Sequence, residues 1–157
     1  MIKKSMCCIA LAVCVLTFTS CAKKLAALDL DAAQKAVDEL SIYGPLLTPD
    51  DEMLLNLYGI DAALIEKSVI AMPALIVHAG LYMIVLPKPG KEAEVKSQLD
   101  GFIRQHEKIW ESYLPDQHKL VKDRLETTLD TKEGTYYVYI ISEDNEAVLE
   151  AIKTGLK

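Results

Sequence analysis

The side chains best suited to bond-making chemistry are three histidines (His78, His106 and His118), four cysteines, and the hydroxyls of Ser41, Ser68, Ser97, Ser112 and Ser142. The histidines and serines stand in no reactive spacing. His106-Glu107 begins like a zinc-protease helix, which needs a second histidine four positions on to face the metal, but that position is Trp110. The serines lack the glycines of a nucleophile elbow. Asp50 and Asp51 lack the alternating acids and central glycine of an EF-hand, and suit a helix start instead. A glycine-rich phosphate loop is also missing. The sequence therefore assigns no catalytic residue, no metal ligand and no cofactor. His106 falls on an apolar helical stripe as a core or boundary histidine, and His118 falls in a polar stretch as a solvated one.

The cysteines are more informative. Cys7, Cys8, Cys14 and Cys21 are all near the N-terminus, and none follows Cys21. Lys3 and Lys4 precede an apolar run over 6–18, and Phe18-Thr19-Ser20-Cys21 closes it. This is a charged n-region, an h-region and a small-residue cleavage site. The run is shorter than the roughly 20 residues of a spanning helix. It resembles a bacterial lipoprotein signal, or lipobox. The resemblance implies cleavage before Cys21, a diacylglyceryl thioether on Cys21, and a further acyl chain such as palmitate on its amine. More than one chain anchors stably where a single one is marginal.

The chain then divides into a signal over 1–20, a lipidated tether over 21–28 reaching roughly 25 Å at most, and one domain over 29–157. The domain has no cysteine and so no disulfide. The formal net charge of −6 becomes more negative once Lys3 and Lys4 are removed. Such a chain lacks the basic footprint that nucleic acid requires, and attraction to anionic lipid cannot hold it. The partners expected are the membrane, through the lipid on Cys21, and an unidentified envelope protein or component.

Periodicity predicts an α+β domain: N-terminal helices, then two strand–strand–helix units forming a four-stranded, mainly antiparallel sheet covered by helices. A first helix capped by Asp29 or Asp31 runs to about Tyr43, with Ala33, Ala36, Val37 and Leu40 inward. A second starts with Thr48 as cap and Pro49 at its first position, carries Met53, Leu54, Leu57 and Tyr58, and stops at Gly59. Strands follow over 67–72 and 81–87. The longest helix, over 91–114, carries Val95, Leu99, Phe102, Ile103, His106, Ile109, Trp110, Tyr113 and Leu114, and Pro115 stops it. Gly101 within it suggests close packing. A polar stretch over 116–123 leads to strands over 125–131 and 135–142 around a Glu133-Gly134 turn. Asp144 or Asn145 caps a last helix ended by Gly155. Two shared Glu-Ala pairs, Glu92-Ala93 and Glu146-Ala147, raise the idea of a duplication.

One connection is unusual. From Ile70 to Leu86 only His78 interrupts apolar or small character, and the loop over 73–80 is itself apolar. It either folds back onto the core or presents a contact surface made by Pro73, Leu75, Ile76 and Val77. Trp110 is expected in the core. Were it exposed, it and Tyr113 would be the first place to seek a ligand.

Leu57-Tyr58-Gly59-Ile60-Asp61, the loop Met72-Pro73-Ala74-Leu75-Ile76-Val77-His78-Ala79, Tyr113-Leu114-Pro115-Asp116 and the closing Tyr-rich strand follow the lipobox in order. Together they resemble the bacterial lipoprotein family catalogued as domain of unknown function 4358. That resemblance implies residence on the outer face of the bacterial cytoplasmic membrane, and it brings no activity or catalytic residues. In family members the loop often carries an Asn and an acidic residue, where Ile76 and Gly80-Leu81 stand here. Two functions from different classes follow as expectations. One is an anchored binding or protein-interaction module at the envelope. The other is an envelope hydrolase or metal-dependent enzyme with a site assembled from distant residues.

Overall fold

Tyr136, Val138 and Ile140 alternate with Tyr137, Tyr139 and Ile141, so their strand is apolar on both faces and needs a covering layer on each. The computed structural model, which describes residues 25–157, is built in that way. Its elements are α1 (Leu30–Glu39), β1 (Leu46–Leu47), α2 (Asp51–Tyr58), a 3-10 turn (Ala62–Leu64), β2 (Ile65–Pro73), β3 (Leu81–Pro87), α3 (Glu92–Glu111), α4 (Pro115–Lys122), β4 (Leu125–Thr131), β5 (Gly134–Ile141) and α5 (Asn145–Lys153). The strands form one antiparallel sheet in the order β1-β2-β3-β5-β4.

Each face has its own core. Leu81, Met83, Val85, Tyr139 and Ile141 meet α3, with Leu54 of α2 and Val121 of α4. Tyr82, Ile84, Leu86, Tyr136, Val138 and Ile140 meet Ala33 and Val37 of α1 and Val148, Leu149 and Ile152 of α5. The α+β class is thus as the sequence predicts, but the sheet has five strands rather than four. The added strand, β1, is only Leu46 and Leu47 paired with Met72 and Pro73, too short for any period to mark it. The twofold axis relating hairpin β2–β3 to β5–β4 would leave α3 and α5 on one face. They lie on opposite faces, which weakens the duplication idea.

Several boundaries differ for local reasons. The first helix ends at Glu39, short of Tyr43, because Ser41 turns left-handed at φ 54°. Leu40 consequently faces solvent. In α2 the cap is Asp50, whose carboxylate accepts from Met53 N at 2.8 Å, so Thr48 and Pro49 precede the helix. Leu57 points outward at 62 % exposure. Pro115 does not merely stop the long helix. It opens α4 at the first position, where a missing N–H costs nothing, and the polar stretch is therefore helical. α3 itself ends at Glu111.

Two glycines behave differently. A Cβ on Gly155 would fall 2.5 Å from the Asp29 carbonyl, so glycine permits the close approach of α5 to the start of α1. The close packing expected at Gly101 is not found: a Cβ there would meet only the Arg104 guanidinium, at 3.8 Å. Gly101→Ala is therefore expected to raise the urea midpoint, with a gain of up to about 1 kcal/mol. A lowered midpoint would contradict the open space at this position.

The start of the described chain is already part of the domain. Ala26 O accepts from Lys132 N at 2.9 Å, Ala27 pairs with Lys157 in both directions at 2.9 Å, and Leu28 is buried. Ala26 to Leu28 thus belong to the domain and not to the tether expected over 21–28. Cys21 itself lies outside the described residues.

Candidate binding groove

The spacing of α3 brings Phe102, His106 and Trp110 onto one face, and Tyr113, in the turn after the helix, extends the file of rings. Tyr58 of α2 continues the row. Successive centroid separations are 5.4 Å from Tyr58 to Phe102, 5.5 Å to His106, 6.0 Å to Trp110 and 5.7 Å to Tyr113. These separations lie in the favourable range for tilted and edge-on aromatic pairs. Asp61 N donates to Gln98 Oε1 at 3.0 Å, which ties the end of α2 to α3. Tyr139 Oη donates to Asp100 Oδ1 at 2.6 Å, and Lys96 Nζ bonds the same carboxylate. Burial pushes the Asp100 pKa up, but these two hydrogen bonds and the lysine charge leave it below its ordinary value. The helix is thereby fixed on the sheet.

Opposite the aromatic row stands the loop between β2 and β3. Its ends are held. Ala74 N donates to Pro45 O at 2.9 Å, and Ala79 N donates to Gln117 Oε1 of α4 at 2.8 Å. Tyr43 Oη donates to Leu81 O at 3.2 Å, and its ring packs so closely on Gly80 that a Cβ there would come within 3.2 Å. Its tip does not fold back. Ile76 is 82 % exposed, and Leu75 and Val77 are about half exposed.

Between loop and helix lies a groove of about 410 Å³. Pro73, Leu75 and Ile76 form one wall, with Met72 and His78. Tyr58, Phe102, His106, Ile109, Trp110 and Tyr113 form the other. Three of the four loop residues singled out from sequence line it, while Val77 remains on the tip outside. None of the lining side chains is an Asp, Glu, Lys or Arg.

Trp110 is buried as expected, yet it also lines the groove, so the choice between core and ligand surface was not exclusive. Tyr58, Met72 and Phe102 are lining residues that sequence reasoning did not assign to a site. Their apolar periodicity read as core, and nothing local marks a core residue that also borders a cleft.

His106 occupies the groove floor, 8 % exposed. Its Nε2 accepts from Trp110 Nε1–H at 3.1 Å and also lies 3.0 Å from the Ala79 carbonyl oxygen. Burial lowers the His106 pKa, partly offset by the Ala79 carbonyl. His78 is exposed on the groove rim and His118 is half-buried on α4, outside the groove. Among the described residues no group of three or more His, Cys, Asp or Glu side chains is arranged to hold a metal ion.

The other face has a cavity of about 350 Å³ between α1 and the sheet, lined in part by Gln34, Asp38, Ser41, Tyr43 and Tyr82. The buried Tyr82 hydroxyl has no hydrogen-bond partner among the described residues. Burial, and then the Asp38 charge, push its pKa up to about 12. That phenol stays neutral at physiological pH.

Compared with known proteins, the chain matches the family described as domain of unknown function (DUF4358) over residues 38–142. The match spans all five strands with α2, α3 and α4, and so contains the whole groove. No curated protein and no solved structure matches the chain.

Proposed function

The chain belongs to the family described as domain of unknown function (DUF4358), and from that premise we propose that it is a lipid-anchored binding module. In this proposal the acyl chains on Cys21 hold it at the outer face of the bacterial cytoplasmic membrane. The groove takes an apolar segment of another envelope protein. The observation that carries the proposal is the exposed apolar loop facing a row of aromatic rings, with no charged side chain in the groove between them. An apolar surface of this kind, fixed at both ends and open at the tip, marks an interaction site better than a stray patch would.

The choice of occupant rests on where the tether joins. Ala26 pairs beside the β4–β5 turn, whereas Leu81 and Ile141, at the loop end, pair at the opposite end of the sheet. Strands of seven and eight residues separate the two ends by roughly 23 Å. From Cys21 to Ala26 the chain extends about 17 Å at most. In this proposal the acyl chains stay at the tether end, which supports a groove at the end turned from the bilayer. A protein segment standing off the membrane is the fitting occupant.

The alternative, an envelope hydrolase or metal-dependent enzyme, would be favoured by a bound metal or by a deep polar pocket containing His78 or His118 with two carboxylates. The groove offers His78 without one. A photocrosslinking side chain placed at Ile76 in the anchored protein on intact cells tests the binding reading. It should capture a discrete protein that the same probe at exposed Leu55 of α2 does not, and Leu75→Asp should abolish the capture. Identical products from both positions would overturn the proposal.

A further inference from the structure

We propose that His106 makes the groove responsive to pH, by choosing between two partners that cannot both be served. This deepens the binding reading above and rests on it only for its consequence, not for the switch itself. Nε2 of His106 faces an obligate donor, the indole N–H of Trp110 at 3.1 Å, and an obligate acceptor, the carbonyl of Ala79 at 3.0 Å. One ring nitrogen carries either a lone pair or a proton. With the lone pair it accepts from Trp110 and fixes the groove floor. With the proton it donates to Ala79 O, and the indole N–H loses its acceptor. The imidazolium carries hydrogen on both nitrogens and admits only the second arrangement.

The surroundings make the change consequential. Ala79 ends the exposed loop and is held from the other side by Gln117 of α4, so the choice sets how tightly loop and helix are joined. The other titratable groups of the groove are Tyr58 from α2, His78 from the loop and Tyr113 from the turn after α3, and β2 contributes Met72. The carboxylate adjacent in sequence, Glu107, is paired with Arg124 at 2.9 Å. With no charge of the groove lining to answer it, an imidazolium turns an apolar floor into a charged one and frees the indole N–H. Acid therefore weakens the hold on an apolar ligand. Because burial depresses the folded value, the unfolded chain takes up this proton first. The stability that the neutral ring supports is complete above about 6.5 and declines as the pH falls below it.

Trp110 is the single tryptophan, so its emission reports the switch directly. Between about pH 8 and pH 4.5, with folding followed by far-ultraviolet circular dichroism, the parent should show a transition below the ordinary histidine range. His106→Gln can accept from the indole and donate to Ala79 at once, so its emission should not titrate, whereas His78→Ala should titrate like the parent. A transition that survives in His106→Gln, or none in the folded parent, would overturn the switch. Uncharged N-phenylnaphthylamine probes the groove separately, and its affinity should fall about fivefold across the transition, the weight of one hydrogen bond. An emission transition without any change in probe affinity would overturn the coupling while leaving the groove standing. An emission transition with no binding of the probe at any pH would instead overturn the groove reading.

Discussion

Trp110→Ala is expected to cost about 3–5 kcal/mol, the usual penalty for truncating a large buried side chain. Trp110 is 4 % exposed, packs between His106 and Tyr113, and donates its indole N–H to His106. Truncation removes the transfer energy, leaves a cavity between α3 and the sheet, and deprives the His106 ring of its donor. Domains of this size commonly have 5–15 kcal/mol in all, so the variant should show a sharply lowered urea midpoint. In the parent, emission should lie well to the blue of the unfolded chain. Emission at the unfolded wavelength, with an unaltered midpoint in the variant, would remove Trp110 from the core. His106→Gln, whose amide can accept from the indole and donate to the Ala79 carbonyl, should lose much less and so separates packing from polar pairing.

What could be read from the sequence, and what could not, follows the range of the physics involved. Alternation in β5 and the stripe of α3 depend on neighbours within a few residues, and β5 and the stripe from Val95 to Trp110 appear where their periods put them. Both faces of β5 are therefore as the alternation predicts. In α3, by contrast, Ile109 faces solvent, and Tyr113 and Leu114 are exposed beyond the helix end. β1 and α4 were missed because each depends on something non-local or ambiguous. Two leucines become a strand only because Met72 and Pro73 lie beside them. Pro115 is equally a stop for one helix and a first residue for the next.

The groove was half legible for the same reason. An apolar loop is conspicuous in sequence because exposed connections are usually polar. The opposite wall is not, since Phe102, Trp110 and Tyr58 carry the same apolar signal whether a cleft borders them or not. His106 was read as a core or boundary histidine, and it is buried. What no spacing could reveal is that the Ala79 carbonyl, far away in the chain, competes with Trp110 for one ring nitrogen.

Cys21→Ser should abolish incorporation of a fatty-acid probe, because serine offers no thiolate for a thioether and the lipobox-like Phe18-Thr19-Ser20-Cys21 would no longer present its acceptor. The protein should accumulate unprocessed or be released. Its thermal midpoint should not move, since the described contacts of the domain begin after Cys21, with Ala26 on Lys132 and Ala27 on Lys157. The domain contains no cysteine after that position, so reductant should leave the midpoint unchanged as well. Separating the two readouts matters: a variant that is merely misfolded would lose label and melt early, whereas loss of the anchor alone leaves the melt intact. Binding at the groove then becomes a test of place. If the occupant is a protein segment at the cell surface, the released Cys21→Ser domain should retain the groove and its probe affinity but lose the crosslink from Ile76. Equal labelling of variant and parent would remove the anchor, and with it the argument that the groove is turned away from the bilayer.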